Sequence, residues 1–242
     1  MRARMAGVLG ALAVSIAAPA ASGEVALELV LAVDASGSVD RDEFELQMHG
    51  LADAFRDPDV VRAIAAARGG IAVALVQWAS PGHQIVAVGW TLVADAASAA
   101  LFAGRIEAAG RQMYGETSIP HALRFCMELI ESNGIEGRRK AIDVSGDGPT
   151  NFGRPPDEMR DRVNAAGIAI NGLAILNEFP HLDDYFRAHV VGGPGAFLEV
   201  AADYRDFAEA IRRKLIQEIE GVPVGYLVPN SRSPASPNPG TM

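Results

Sequence analysis

The run VALELVLAV, Val25 to Val33, is apolar at every position except Glu28 and stops abruptly at Asp34-Ala35-Ser36-Gly37-Ser38. Apolar residues at both odd and even positions do not suit a strand with one wet face; they suit a strand covered on both sides, as in a parallel sheet between layers of helix. The next segment changes period. Phe44, Met48, Leu51 and Phe55 fall at helical spacing between Asp40 and Arg56, and Asp40 with Glu43 has the spacing of a capping box. A chain that opens strand, turn, helix in this way is committed to α/β architecture.

The rest of the sequence repeats the alternation. GGIAVALVQWAS, from Gly69, predicts a second strand; Pro81-Gly82 marks a turn, and HQIVAVGWT predicts an antiparallel hairpin partner. Trp78 and Trp90 lie on these paired strands and are expected to pack in the core or over the edge. Asp95 to Ala109 is Ala-rich and helical. Thr117-Ser118-Ile119-Pro120 opens another helix, with Ser118 as cap and Pro120 in the first turn. RRKAIDVSGDG, from Arg138, predicts a strand running into a turn. A helix from Pro155 to Ala166, the strand GIAINGLAIL, a short helix over Leu182 to Ala188, a strand from Phe197 to Ala201 and a helix from Tyr204 to Glu220 complete the pattern. The expected fold is a three-layer αβα, doubly wound, mostly parallel sheet with one antiparallel edge strand. Gly192-Gly193-Pro194-Gly195 precedes a strand rather than a helix, so it reads as a turn and not as a phosphate loop.

The ends of the chain read differently. Residues 1–23 have the form of a secretory signal peptide: Arg2 and Arg4, a short apolar stretch from Ala6 to Ala18, then small residues suited to cleavage. That stretch is short of the ~20 residues that span a bilayer, and no transmembrane segment is expected in the mature chain. Residues 24–220 form the expected domain, and 221–242, rich in Pro, Ser and Asn, the expected disordered tail. The chain is therefore expected to be exported, to the periplasm or beyond the cell. Its net charge is −9, and loss of two arginines with the signal peptide leaves the mature chain near −11. With no concentrated Lys/Arg tract, nonspecific binding of nucleic acid is not expected. The single cysteine, Cys126, forbids an internal disulfide and sits in an apolar helical pattern that points to burial.

Three predicted loops carry oxygen-bearing side chains: Asp34, Ser36 and Ser38 after the first strand; Thr117, beside Glu116, just before a helix; and Asp147 after the fourth strand. Each alone has a plain structural reading as a turn or a cap. Together, in order and each at an element boundary, they make a hard, all-oxygen set suited to Mg²⁺, Mn²⁺ or Ca²⁺ rather than zinc. None of the five histidines forms a HExxH pattern. Asn151 reads as a loop residue or rim contact. Asp143 interrupts the fourth strand on the face shared with Ser145; we read it as a buried anchor, the other reading being a support for the site.

The sequence DASGS, followed far downstream by Thr117 in GETSIPHAL and by Asp147 in DVSGDGPTNFGRP, resembles the von Willebrand factor A domain, and specifically an uncharacterised bacterial family of exported proteins of that type. The resemblance spans roughly Val25 to Glu220. It implies a metal-ion-dependent adhesion site of form D-x-S-x-S, T and D, met here by Asp34, Ser36, Ser38, Thr117 and Asp147. It implies that the serines, and in some states Thr117, coordinate the metal directly, with Mg²⁺ expected ahead of Mn²⁺ or Ca²⁺, that the aspartates act largely through bound water, and that one coordination position accepts a carboxylate from a protein partner. On this reading the protein binds and breaks no bond.

Two other functions compete. A metal-dependent hydrolase of phosphatase type would use Asp34 as nucleophile, but Ser36 stands where a second aspartate is usual, no lysine accompanies the loops, and no nucleophile elbow is present. A structural scaffold would hold the ion without engaging a partner.

Overall fold

The computed structural model describes residues 24–221. The expected signal peptide and all but Gly221 of the expected tail lie outside them. Six strands, β1 (Leu27–Asp34), β2 (Ile71–Trp78), β3 (Gln84–Val93), β4 (Lys140–Gly146), β5 (Ala169–Ile175) and β6 (Leu198–Ala201), form one sheet in the order β3-β2-β1-β4-β5-β6. All neighbours are parallel except β2 and β3, which pair antiparallel, so the doubly wound expectation with one antiparallel edge strand holds.

Seven α-helices flank the sheet: α1 (Arg41–Arg56), α2 (Pro58–Ala66), α3 (Ala96–Ala108), α4 (Ile119–Glu131), α5 (Asp157–Ala165), α6 (Leu182–Tyr185), which runs on into a π-helical turn over Phe186–Val190, and α7 (Phe207–Glu220). The alternation of side chains along β1 divides the core. Leu27, Leu29, Leu31 and Val33 face α1, α2, α3 and α7, whereas Val30 and Ala32 face α4, α5 and α6. Every residue of β1 and β2 is buried, as their largely apolar runs predict.

Local chemistry accounts for the helix starts. The Asp40 side chain accepts from the Glu43 N–H while Glu43 accepts from the Asp40 N–H, the expected capping box, and Phe44, Met48, Leu51 and Phe55 are buried. Phe55 meets Phe102 edge-to-face at 4.8 Å, joining α1 to α3. Helix α2 is an addition to the expected elements; it is capped by Asp57, starts on Pro58, and buries Val60, Ala63 and Ile64 in a stretch too short to show a clear period. The expectation for Ser118 needs correction. Its side chain makes no capping bond to α4; it is turned to the Phe152 carbonyl (3.1 Å) and to His121 Nδ1 (2.7 Å).

Three charged or polar residues that interrupt apolar strands find partners. Glu28 on β1 is fully buried and accepts from Asn133 Nδ2 at 2.8 Å. Asp143 on β4 lies 2.8 Å from Lys214 Nζ, itself fully buried on α7 and 2.7 Å from Glu218 Oε1, which also accepts from Asn171 Nδ2 at 2.9 Å. Asp143 is thus an anchor between sheet and α7. Cys126 is buried, and burial pushes its thiol pKa far up. Trp78 is fully buried and Trp90 half-buried. No helix of the described residues is long and apolar enough to cross a membrane.

Candidate functional site

The chain leaves β1 toward β2 on one side and reaches β4 on the other, so the topology switches direction between β1 and β4, and their carboxyl ends form a crevice. Asp34 ends β1 and Asp147 follows the last residue of β4. Between them converge all five oxygen-bearing residues expected from the sequence. Thr117 Oγ1 donates to Ser36 Oγ (3.2 Å), Ser36 and Ser38 hydroxyls meet at 3.2 Å, and Ser38 Oγ donates to Asp147 Oδ1 (2.8 Å). The Ser36 N–H donates to Asp34 Oδ1 at 2.7 Å. Asp34, Ser36, Thr117 and Asp147 are buried and Ser38 is half-buried.

The electrostatics of the pair are unbalanced. Asp34 Oδ2 is buried without a hydrogen-bond partner, and Gly146 packs so closely that an added Cβ would lie 3.0 Å from it, with Trp78 forming the apolar wall behind. Burial foremost, and then the Asp147 charge, raise the Asp34 pKa from 3.8 to about 7, against the hydrogen bonds from Ser36 and the Arg111 charge. A buried carboxylate oxygen with no donor, beside a second buried carboxylate and three hydroxyls, is the donor set a divalent cation satisfies. Among the described residues no group of three or more His, Cys, Asp or Glu is placed to hold a metal, so a cation here would rest on hydroxyls as much as on carboxylates.

Residues that carry no motif fix the geometry. Arg111 reaches under the first loop and donates to five backbone carbonyls, four of them there, of Ala35 (2.9 Å), Ser36 (2.6 Å), Val39 (2.7 Å) and Asp40 (3.3 Å), and one of Met113 (3.2 Å), with its guanidinium stacked 3.8 Å from the Tyr114 ring. The Gly37 N–H donates to the Gly115 carbonyl at 2.7 Å, tying the first loop to the second. Gly115 has φ +137°, and a Cβ there would stand 2.3 Å from Ser80 Oγ, which accepts from the Glu116 N–H. Asn151, exposed, accepts from the Thr117 N–H through Oδ1 (2.8 Å) and donates from its own N–H to the Thr117 carbonyl (3.0 Å), joining the second loop to the third. Tyr204, between β6 and α7, donates to Asp147 Oδ2 at 3.0 Å; burial and the nearby carboxylates push its pKa upward and keep the phenol protonated. Glu116 is exposed. Nothing in the sequence around Arg111 or Tyr204 separates them from other surface or core residues, since both act on partners more than 50 positions away.

Residues 24–223 match one family along nearly the whole described chain. The chain belongs to DUF1194, a family of proteins of unknown function. No curated protein matches the sequence. Solved structures extend the likeness of the DUF1194 chain at the level of fold. It is similar to proximal thread matrix protein 1 from the mussel byssus, including a form described as having a zinc-occupied MIDAS motif (15% identity, TM-score 0.57, covering 79% of this chain and 45% of that one). It is similar to the pilus adhesin SpaC from Lactobacillus rhamnosus GG (15%, TM-score 0.59, 81% and 30%) and to the vWF domain of the pilus tip protein Mfa5 from Porphyromonas gingivalis (11%, TM-score 0.58, 84% and 99%). The DUF1194 chain spans less than half the length of the mussel protein. Its fold is that of a von Willebrand factor A domain, as the sequence resemblance implies.

Proposed function

We propose that this DUF1194 protein is an exported, metal-ion-dependent binding module. The observation that carries the reading is Asp34 Oδ2, buried and unpartnered beside Asp147 at the topological switch of the sheet. Ser36, Ser38 and Thr117 would offer hydroxyl oxygens to a divalent cation, and Asp34 and Asp147 would supply the compensating negative charge. The ion would add Lewis acidity toward a carboxylate of a protein partner. Oxygen donors favour Mg²⁺, with Mn²⁺ and Ca²⁺ as neighbours in preference; the zinc described for the mussel protein makes Zn²⁺ a necessary comparison. Adhesive and pilus proteins among the structural neighbours support both protein binding and export.

A bond-breaking reaction has less support. Lys214, fully buried against Asp143 and Glu218, serves the sheet–α7 contact. Ser118 and His121 lie 2.7 Å apart, but the serine is fully buried and its hydroxyl donates to a backbone carbonyl.

Calorimetric titration of Mg²⁺, Mn²⁺ and Zn²⁺ into wild type and Asp34→Ala tests the proposal. Binding to wild type and its loss in the variant are expected; equal affinity in the two proteins would overturn it.

A further inference from the structure

The rim around the site is neither uniformly polar nor uniformly charged. Of the six large hydrophobic side chains exposed among the described residues, two stand on the site's own loops, Tyr114 before Thr117 and Phe152 after Asp147, and a third, Phe179 between β5 and α6, adjoins them, its ring 3.4 Å from where a Cβ on Gly148 would lie. Aromatic side chains left in water at a site rim are the residue type that anchors protein contacts.

Charge is divided across the sheet. On the α1 side, Glu43 is bonded to Asn177 and lies near enough to Asp147 and Glu178 for their charges to bear on it, so this flank is acidic. On the opposite side, α4, α5 and the loop between Phe152 and Pro156 enclose a cavity of about 220 Å³ lined by His121, Arg124, Arg154 and Arg162. Glu158 is the one carboxylate that lines it, and it sits 3.4 Å from Arg154 with both side chains mostly exposed. Arg124, Arg154 and Arg162 are all exposed. Asp157 and Asp161 on α5 are engaged by His189 and Arg160, so the cavity wall itself carries three arginines against one carboxylate, a local excess in a chain of net charge −9. It adjoins the site directly, because His121 contacts the hydroxyl of Ser118, the neighbour of Thr117, and Arg124 follows one helical turn on.

We infer that the site takes an acidic protein segment in one orientation. One carboxylate of the segment sits over the Asp34, Thr117 and Asp147 loops, apolar side chains contact Phe152 and Phe179, and further carboxylates run across α4 and α5 toward Arg124, Arg154 and Arg162. The reverse orientation would bring those carboxylates onto Glu43 and Glu178. The inference rests on the function proposed above and adds the chemistry and direction of the partner. Each exposed ion pair is weak and screened by salt, so the basic flank selects and orients the segment while the ion holds it.

The test uses two labelled synthetic peptides, each with one aspartate flanked by leucines, one continuing into a run of glutamates and the other into a run of lysines. Their binding is followed by fluorescence anisotropy with Mg²⁺ or EDTA at low salt, alongside calorimetry of Mg²⁺ without peptide. The glutamate peptide is expected to bind wild type about tenfold more tightly than the lysine peptide, as the sum of a few exposed pairs, and only with Mg²⁺. Arg124→Glu with Arg162→Glu should erase or reverse that preference and leave the Mg²⁺ titration unchanged; Phe152→Ser should weaken both peptides. Equal binding of the two peptides to wild type, binding of neither, or a preference that survives the double charge reversal, with Mg²⁺ heat intact, overturns the inference alone. Absence of Mg²⁺ heat overturns the function on which it rests as well.

Discussion

Asp34 keeps one carboxylate oxygen in a buried place where nothing donates to it. Leaving a buried polar atom unsatisfied costs about 1–3 kcal/mol, more when it is charged. Asp34→Asn retains an oxygen for the Ser36 N–H and removes the repulsion from Asp147, so in EDTA the variant is expected to melt above wild type, whereas added Mg²⁺ should raise the melting temperature of wild type only. Calorimetric melts with and without the ion measure both. Arg111 acts at the same scale without offering the ion any oxygen. Replacing it by Met should leave the fold intact but lower Mg²⁺ affinity about 10- to 100-fold, the usual effect of losing a group that orients a site, as read by the titration described above. These cases divide what the sequence discloses. Asp34, Ser36, Ser38, Thr117 and Asp147 are legible because their types and order repeat a known pattern. Arg111 and Tyr204 are not, because a guanidinium on backbone carbonyls and a phenol on a distant carboxylate impose no local spacing.

At the level of elements, agreement follows the strength of local signals. The strands covered on both faces, β1 and β2, and the amphipathic α1 could be read from period alone. Nine-residue α2 could not, since an Ala-rich stretch with three buried positions carries too little pattern, and Ser118 illustrates a cap residue claimed by a tertiary contact. The start of α1 bears on the site, because Asp40 ends the first loop and its carbonyl is one of those held by Arg111. Asp40→Ala removes the capping acceptor and should lower stability by about 1 kcal/mol, measured as a shift in urea midpoint at unchanged slope.

Across the whole molecule, the sheet carries two separate polar clusters. Its carboxyl end gathers the crevice oxygens; at mid-strand on β4, Asp143 is buried with Lys214 and Glu218 of α7. Burial foremost, together with the Glu218 charge, raises the Asp143 pKa from 3.8 to about 7 against the attraction of Lys214, whose own pKa is also raised, by Asp143 and then Glu218, despite its burial. Both shifts favour one extra proton in the cluster. A carboxyl whose folded pKa exceeds its unfolded value contributes most below the unfolded value, and that contribution declines as pH rises through the folded one. Wild-type stability should therefore fall between about pH 4 and pH 7 more steeply than that of Asp143→Asn, which denaturant titrations at a series of pH values compare. Lys214→Met, in contrast, strands two carboxylates and should cost about 3–5 kcal/mol. At the crevice end, the grip of Arg111 has an evolutionary corollary. It holds main-chain carbonyls, which every amino acid possesses. Descendants can therefore exchange Ser36 while the turn keeps its path, and an inherited chemistry at this spot can be lost, altered or regained by a single replacement without the scaffold being rebuilt.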